Sequence, residues 1–260
     1  MRAQSEARVQ AREPVHATLP KSEIAWYQPH VLKELAGLLE EIQAIEAEPV
    51  REALTLVFSA IVVKFSRQRS DTSSQLVERR LRKGLVSEFF ERKAFELCER
   101  LDELSGFALG PPAVVKVGDA RNLAQRVPGR VDAIVTSPPY GGTYDYVAQH
   151  QRRHAWLGIN PAAMGRGEIG ARRHQVGVER FERDMAVCLQ SMGRVLRRGG
   201  LLIMLMGDGR YGTREVPADD LIGSLAARAG FHPIAAASRQ QRDTDGQGPR
   251  REHLMALERT

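Results

Sequence analysis

Along the first third of the chain the apolar positions follow a helical period. Val31, Leu32, Leu35, Leu38, Leu39, Ile42 and Ile45 recur three and four residues apart, which places them on one face of an α-helix. Pro29 stands where a first helical turn tolerates proline, so a helix is predicted over residues 29–47. A second helix is predicted from Pro49 through Val63. It is apolar on all sides, and burial all round is expected. A third is predicted over residues 85–104. Ahead of these helices, residues 1–22 are polar and charged with scattered prolines and read as a poorly ordered arm. The longest apolar run, residues 53–63, falls short of the roughly 20 residues a membrane span needs. No apolar stretch follows the charged N-terminus in the manner of a signal peptide.

After Pro111-Pro112 the pattern changes. Short β-branched or bare apolar runs at 113–117, 131–136, 201–206, 231–237 and 253–257 read as strands. Between them lie predicted helices over 144–156, over 178–196 and from the Pro217/Asp219-Asp220 start to Gly230, with one or two helical turns over 120–125. Arg197-Arg198-Gly199-Gly200 reads as the close of the 178–196 helix, basic residues followed by glycine. Residues 158–177, rich in Gly, Arg and His, read as a loop. Alternating strands and helices predict an α/β domain over 111–260, a mostly parallel sheet flanked by helices, behind an N-terminal helical region over 23–110. In such sheets chemistry sits at the carboxyl ends of strands. Asp119, Ser137 and Asp208 each stand just past the end of a predicted strand.

The segment Thr136-Ser-Pro-Pro-Tyr140 carries the strongest chemical signal. Two prolines in a row have no N–H and fix the backbone, giving a stiff extended loop whose carbonyls are free. The Ser137 hydroxyl and the Pro138 carbonyl can both accept hydrogen bonds, and Tyr140 offers a flat face. An exocyclic amino group on a nucleobase is a poor nucleophile, because its lone pair is delocalised into the ring. Acceptors aimed at its two hydrogens favour a pyramidal nitrogen and stabilise the charge developing there. A stacked aromatic ring holds an extruded base flat.

Ser137-Pro138-Pro139-Tyr140 after an apolar strand resembles the catalytic motif of S-adenosylmethionine-dependent amino methyltransferases that modify cytosine N4 or adenine N6 in DNA. Ser in the first position is the form most associated with the cytosine N4 enzymes. The resemblance extends to Met192-Gly-Arg-Val-Leu-Arg-Arg-Gly-Gly-Leu-Leu-Ile-Met204, similar to the helix, glycine turn and strand that follow the motif, and to Gly118-Asp119, similar to the acidic strand end before it. It covers about residues 114–257. It implies a partial Rossmann-like methyltransferase fold, S-adenosyl-L-methionine as cofactor and DNA as substrate. It also implies that Ser137, Pro138, Pro139 and Tyr140 are catalytic, and that Gly118, Asp119 and Asp208 lie toward the cofactor. Asp119 would hold an amino group of the cofactor's adenine or would cap the short helix after it. Asp208 presents the same choice.

One part of the family pattern is missing: no Phe-x-Gly-x-Gly loop follows a first strand. The literal G-x-G-x-x-G at Gly207-Asp-Gly-Arg-Tyr-Gly212 follows a strand, but the next helix starts only near Pro217, so the loop does not open directly into a helix as a dinucleotide fingerprint does. Two explanations stand side by side. Either a separate polypeptide supplies the cofactor-binding half, or the chain is a degenerate member. The helices between Pro29 and Leu104 resemble an insertion that some members carry between the two halves, which suits the first.

Net charge changes the picture only modestly. At +6 the chain tolerates a polyanionic partner without requiring one. Arg67 and Arg69, in Lys64-Phe-Ser-Arg-Gln-Arg-Ser-Asp-Thr72, serve either as nucleic-acid contacts or as part of a solvated loop. The same choice applies to Arg152, Arg153, Arg166, Arg172 and Arg173. Cys98 and Cys188 lack zinc or disulfide spacing and read as small core residues of a cytoplasmic protein. His150, His154 and His174 show no ligand spacing, so no metal is expected, and Trp26 and Trp156 read as packing residues. Beside DNA amino methylation, two other functions fit the sequence: amino methylation of RNA, and a non-catalytic nucleic-acid-binding or partner subunit.

Overall fold

The computed structural model describes residues 3, 7, 19–70, 75–107, 110–171, 177–212, 214–241 and 250–260. Most of the arm expected over 1–22 lies outside the described residues. Contacts divide the chain into two units, one of Met1–Ala113 with Ala148–Pro161, the other of Val114–Val147 with Ala162–Thr260.

The first unit is helical: α1 (Lys21–Ile24), α2 (Pro29–Gln43), α3 (Glu48–Val62) and α4 (Leu85–Ser105). The stripe of α2 is buried as its spacing predicts, with Val31, Leu35, Leu38 and Ile42 fully enclosed. α3 departs from expectation. Val57, Phe58, Ile61 and Val62 are buried, while Leu56 stays 70% exposed and Val50 49%; among the described residues only one face of this apolar helix is covered. α4 begins after Gly84, and its first amides are capped from another helix. The fully buried Glu34 carboxylate accepts hydrogen bonds from the amides of Gly84 (2.8 Å), Val86 (3.1 Å) and Ser87 (3.3 Å). Those N–H groups have no partner inside the helix, and the carboxylate complements the positive end of its dipole.

The helix expected over 144–156 is broken into α5 (Tyr146–Gln149) and α6 (Gln151–Trp156). Residues 148–161, taken from the sequence as part of the α/β region, pack among the N-terminal helices. Trp156 is the anchor. It meets Tyr27 and Phe58 edge to face, at centroid distances of 5.7 and 5.6 Å, which is its expected packing role.

The second unit holds a 3-10 turn (Ala120–Gln125), β1 (Val131–Thr136), α7 (Ala162–Gly167), α8 (Val178–Val195), β2 (Leu196–Gly207), β3 (Gly209–Tyr211), β4 (Arg214–Val216), α9 (Ala218–Arg228), β5 (Phe231–Gln241) and β6 (Arg250–Arg259). The main sheet runs β1-β2-β6-β5. β1 and β2 are parallel, with α8 in the crossover that a parallel pair requires. β6 is antiparallel to both its neighbours, so the unit is α/β as expected but its sheet is mixed, not mostly parallel. Arg197–Gly200 belong to β2 and do not close α8.

α8 and α9 cover one face of this sheet, where Phe181, Met185, Leu189 and Ile222 pack with Leu202, Met204, Met206, Met255 and Leu257. On the other face Val135 is 77% exposed and Leu254 48%. The strand expected over 113–117 does not form. These residues run in no strand or helix, and Val115 and Val117 are each 91% exposed. β-branched residues favour a pleated, half-buried surface, and here that surface is missing. Cys188 is buried as expected, whereas Cys98 is exposed. Among the described residues no helix is long and apolar enough to cross a membrane.

Candidate functional site

β1 delivers the Ser-Pro-Pro-Tyr segment to the end of the sheet where β2 also finishes, since Thr136 pairs with Met204. Ser137 is exposed and Pro138 buried. Tyr140 turns back through a bond from the Thr143 amide to its carbonyl (3.2 Å), and the Gly141 carbonyl accepts from the Arg210 amide (2.9 Å). The Ser137 hydroxyl and the Pro138 carbonyl make no hydrogen bond to any described residue. Both acceptors are therefore left unbonded by the described residues at the end of the strand, as the two prolines predict.

Tyr140 is held from two sides. Its hydroxyl donates to Glu252 Oε1 at 2.6 Å, and Glu252 Oε2 accepts from Arg239 Nη2 (2.7 Å) and Nε (3.0 Å). Glu252 is only 6% exposed. Burial, and then the bond to Glu252, raise the Tyr140 hydroxyl well above its ordinary pKa. The Tyr140 bond and the Arg239 guanidinium hold the Glu252 carboxyl below the usual carboxylate range. The ring therefore stays neutral and presents a face, not a proton acceptor. Behind it lies Gly207, where a Cβ would come within 2.6 Å of the ring.

The same contacts explain the G-x-G-x-x-G segment. Gly207 admits the Tyr140 ring, and a Cβ on Gly209 would meet the Gly141 carbonyl at 2.9 Å. Residues 209–216 then form the β3-β4 hairpin instead of opening into a helix. These glycines are occupied by the Ser-Pro-Pro-Tyr loop itself and do not fit a nucleotide cofactor.

The acidic positions are also engaged. Asp119 caps the 3-10 turn through the Arg121 amide (2.9 Å) and pairs with the Arg121 guanidinium (2.7 Å), whose bonds hold its carboxyl low. Arg121 reaches on to Asp184 (3.0 Å). At Gly118 a Cβ would meet the Arg126 side chain at 2.8 Å. Asp208 Oδ1 accepts from the Ala218 amide at the start of α9 (2.9 Å) and lies 3.0 Å from His253 Nε2. His253 Nδ1 lies 2.8 Å from the Ser238 hydroxyl and 3.5 Å from Asp219. Asp208, Asp219 and His253 are close enough together to bracket a cation, but hydrogen bonds within the protein occupy both ring nitrogens.

Three tyrosines follow one another from the site. Tyr140 and Tyr144 have ring centroids 6.1 Å apart at 47°, and Tyr144 and Tyr146 are 5.6 Å apart at 50°. The Arg250 guanidinium lies 5.9 Å from the Tyr144 ring. Neither Glu252 nor this row was visible in the sequence as a site. Glu252 lies 112 positions from Tyr140, and only the register of β6 brings it in.

The arginines named as nucleic-acid contacts fall out differently. Arg69 is exposed and bonds Gln75 (3.0 Å), and the Arg67 amide donates to the Trp26 carbonyl (2.7 Å). Arg152 is corrected: it is 6% exposed, pairs with the buried Glu23 at 2.5 Å and lies over the Trp26 ring, so its charge is spent inside the first unit. Arg153 donates to the Ser59 carbonyl (3.1 Å). Arg172 and Arg173 lie outside the described residues.

No family model matches the chain, and no curated protein matches it. Among solved structures it is similar to a protein from Thermus thermophilus described as a DNA modification methylase: 18% identity, 55% of this chain and 50% of that one, TM-score 0.34. A structure of the same protein complexed with S-adenosyl-L-methionine matches at 20% identity over 55% and 51% of the two chains, TM-score 0.34. TrmN from Thermus thermophilus matches at 19% identity over 65% and 34%, TM-score 0.32. The chain thus spans about half the length of the DNA modification methylase structure it matches.

Proposed function

We propose that this chain carries the acceptor side of an S-adenosyl-L-methionine-dependent methyltransferase that modifies an exocyclic amino group of a DNA base, cytosine N4 ahead of adenine N6. The observation that carries the proposal is the pairing of two kinds of group on one short loop. Ser137 and Pro138 hold open acceptors, and Tyr140 is a neutral ring fixed by Glu252 and Gly207. The ring stacks on the extruded base, which would otherwise rotate out of line. The acceptors take the two amino hydrogens and favour a nitrogen whose lone pair is available. Positive charge developing on that nitrogen falls beside oxygen lone pairs, and the proton it sheds passes outward to solvent at exposed Ser137. The preference for cytosine rests on Ser in the first motif position.

S-adenosyl-L-methionine is the methyl donor the motif implies, yet no described loop fits it. Gly207 and Gly209 are filled, and Asp119 and Asp208 are committed to Arg121 and His253. The chain's own part is therefore derived for the amino group alone. We propose that a separate polypeptide bearing the glycine-rich loop completes the enzyme. Its support is β1, an edge strand with Val135 open, together with the exposed Val114, Val115 and Val117, which pair with no strand among the described residues.

Incubating the chain and its cell extract with methyl-labelled donor, on DNA and RNA in parallel, tests the substrate. Label in DNA that disappears with Ser137→Ala supports the proposal. Label confined to RNA would replace it with the RNA reading.

A further inference from the structure

Tyr144 and Tyr146 extend the aromatic surface of Tyr140 away from the sheet. Tyr144 is half-buried and Tyr146 is 38% exposed. Neither phenol bonds to any described residue. The row is nevertheless pinned. The Tyr146 amide donates to Glu168 Oε1 at 2.6 Å, and Tyr140 is locked by Glu252. Arg250 supplies a positive charge beside the middle ring.

The spacing says what such a surface suits. Centroids 6.1 and 5.6 Å apart, tilted by about half a right angle, do not match the rise of about 3.4 Å between stacked bases of a duplex. Rings so splayed receive bases that have left the stack. Phenol hydroxyls here can donate to the phosphates between such bases, with the positive charge of Arg250 beside the middle ring. Aromatic faces along a basic groove are the general means by which unpaired strands are held.

We propose that Tyr144, Tyr146 and Arg250 form a subsite for the nucleotides next to the target base, on a strand that is unpaired around the target. The proposal rests on the role assigned to Tyr140 and narrows its substrate to single-stranded nucleic acid.

The test is binding without methyl donor, followed by fluorescence anisotropy on the full chain. The probes are a labelled single-stranded DNA, the matching RNA and the DNA duplex. A single strand should bind at least about tenfold more tightly than duplex, and the DNA and RNA arms identify which sugar is accepted. Replacing both tyrosines (Tyr144→Ala with Tyr146→Ala) should weaken single-strand binding by at least about 5-fold, the smallest loss expected when even one base loses its platform. The Phe replacements, which keep the rings, should retain most of the affinity and control for folding. Equal or tighter binding of duplex would overturn the proposal, as would unchanged single-strand binding by the double Ala variant. A chain that binds single strands through these tyrosines but transfers no methyl group to DNA or RNA even in its cell extract with methyl donor refutes the methyltransferase reading alone.

Discussion

The Tyr140 hydroxyl donates a 2.6 Å hydrogen bond to Glu252, whose other oxygen is held by Arg239. A residue of the Ser-Pro-Pro-Tyr loop is thereby tied to the last strand of the sheet. Glu252→Ala should destabilise the protein by about 1–3 kcal/mol, because it strands a partly buried phenol and removes a charged acceptor. Chemical denaturation of the two proteins checks this; an unchanged midpoint would show that the bond is dispensable.

Acid should find the same weak point. Glu252 titrates below the ordinary carboxylate value of about 4.3. A carboxyl whose folded pKa is depressed contributes stability that is present above its unfolded pKa and lost as pH falls through the folded one. Stability should therefore fall from about pH 4 downward. Glu252→Gln should flatten that part of the profile, as thermal melts at stepped pH would show.

Gly207 has room for the Tyr140 ring and for nothing more. Gly207→Ala places a Cβ 2.6 Å from the ring edge, so the ring must shift. Misplacing a reacting group by about 1 Å costs up to about 100-fold in rate. Methyl transfer should drop by at least about tenfold while the fold persists. Wild-type turnover with the alanine in place would remove Gly207 from the account.

In the helical unit, Arg152 and Glu23 form an enclosed pair. Arg152→Ala alone should cost about 3–5 kcal/mol by leaving an uncompensated buried carboxylate. Combining it with Glu23→Leu should recover much of that loss. Equal destabilisation by the single and double variants would mean that packing over Trp26, not charge, is what Arg152 provides.

What the sequence showed and what it hid follow from the range of the forces involved. The stripe Val31-Leu35-Leu38-Ile42 and the run 131–136 were legible because periodicity is local, and their elements formed where expected. The Ser137–Tyr140 loop was legible because proline acts on its own backbone. Glu252 was hidden, because its partner Tyr140 lies on the loop after β1 and only the β6 register brings the two together. The same register, antiparallel on both sides, turned the expected parallel sheet into a mixed one. Residues 113–117 carry β-forming side chains but find no neighbouring strand among the described residues, so local preference alone did not make a strand. Gly207-x-Gly209 shows the opposite error: a cofactor-like pattern whose glycines make room for the chain's own Tyr140 and Gly141.

The most direct test of the central claim is mass spectrometry of nucleosides from the DNA of cells that carry the gene, cells that lack it, and cells restored with Tyr140→Ala. The account predicts N4-methylcytosine, or failing that N6-methyladenine, in the first alone. Identical methylated-base content in all three would contradict it.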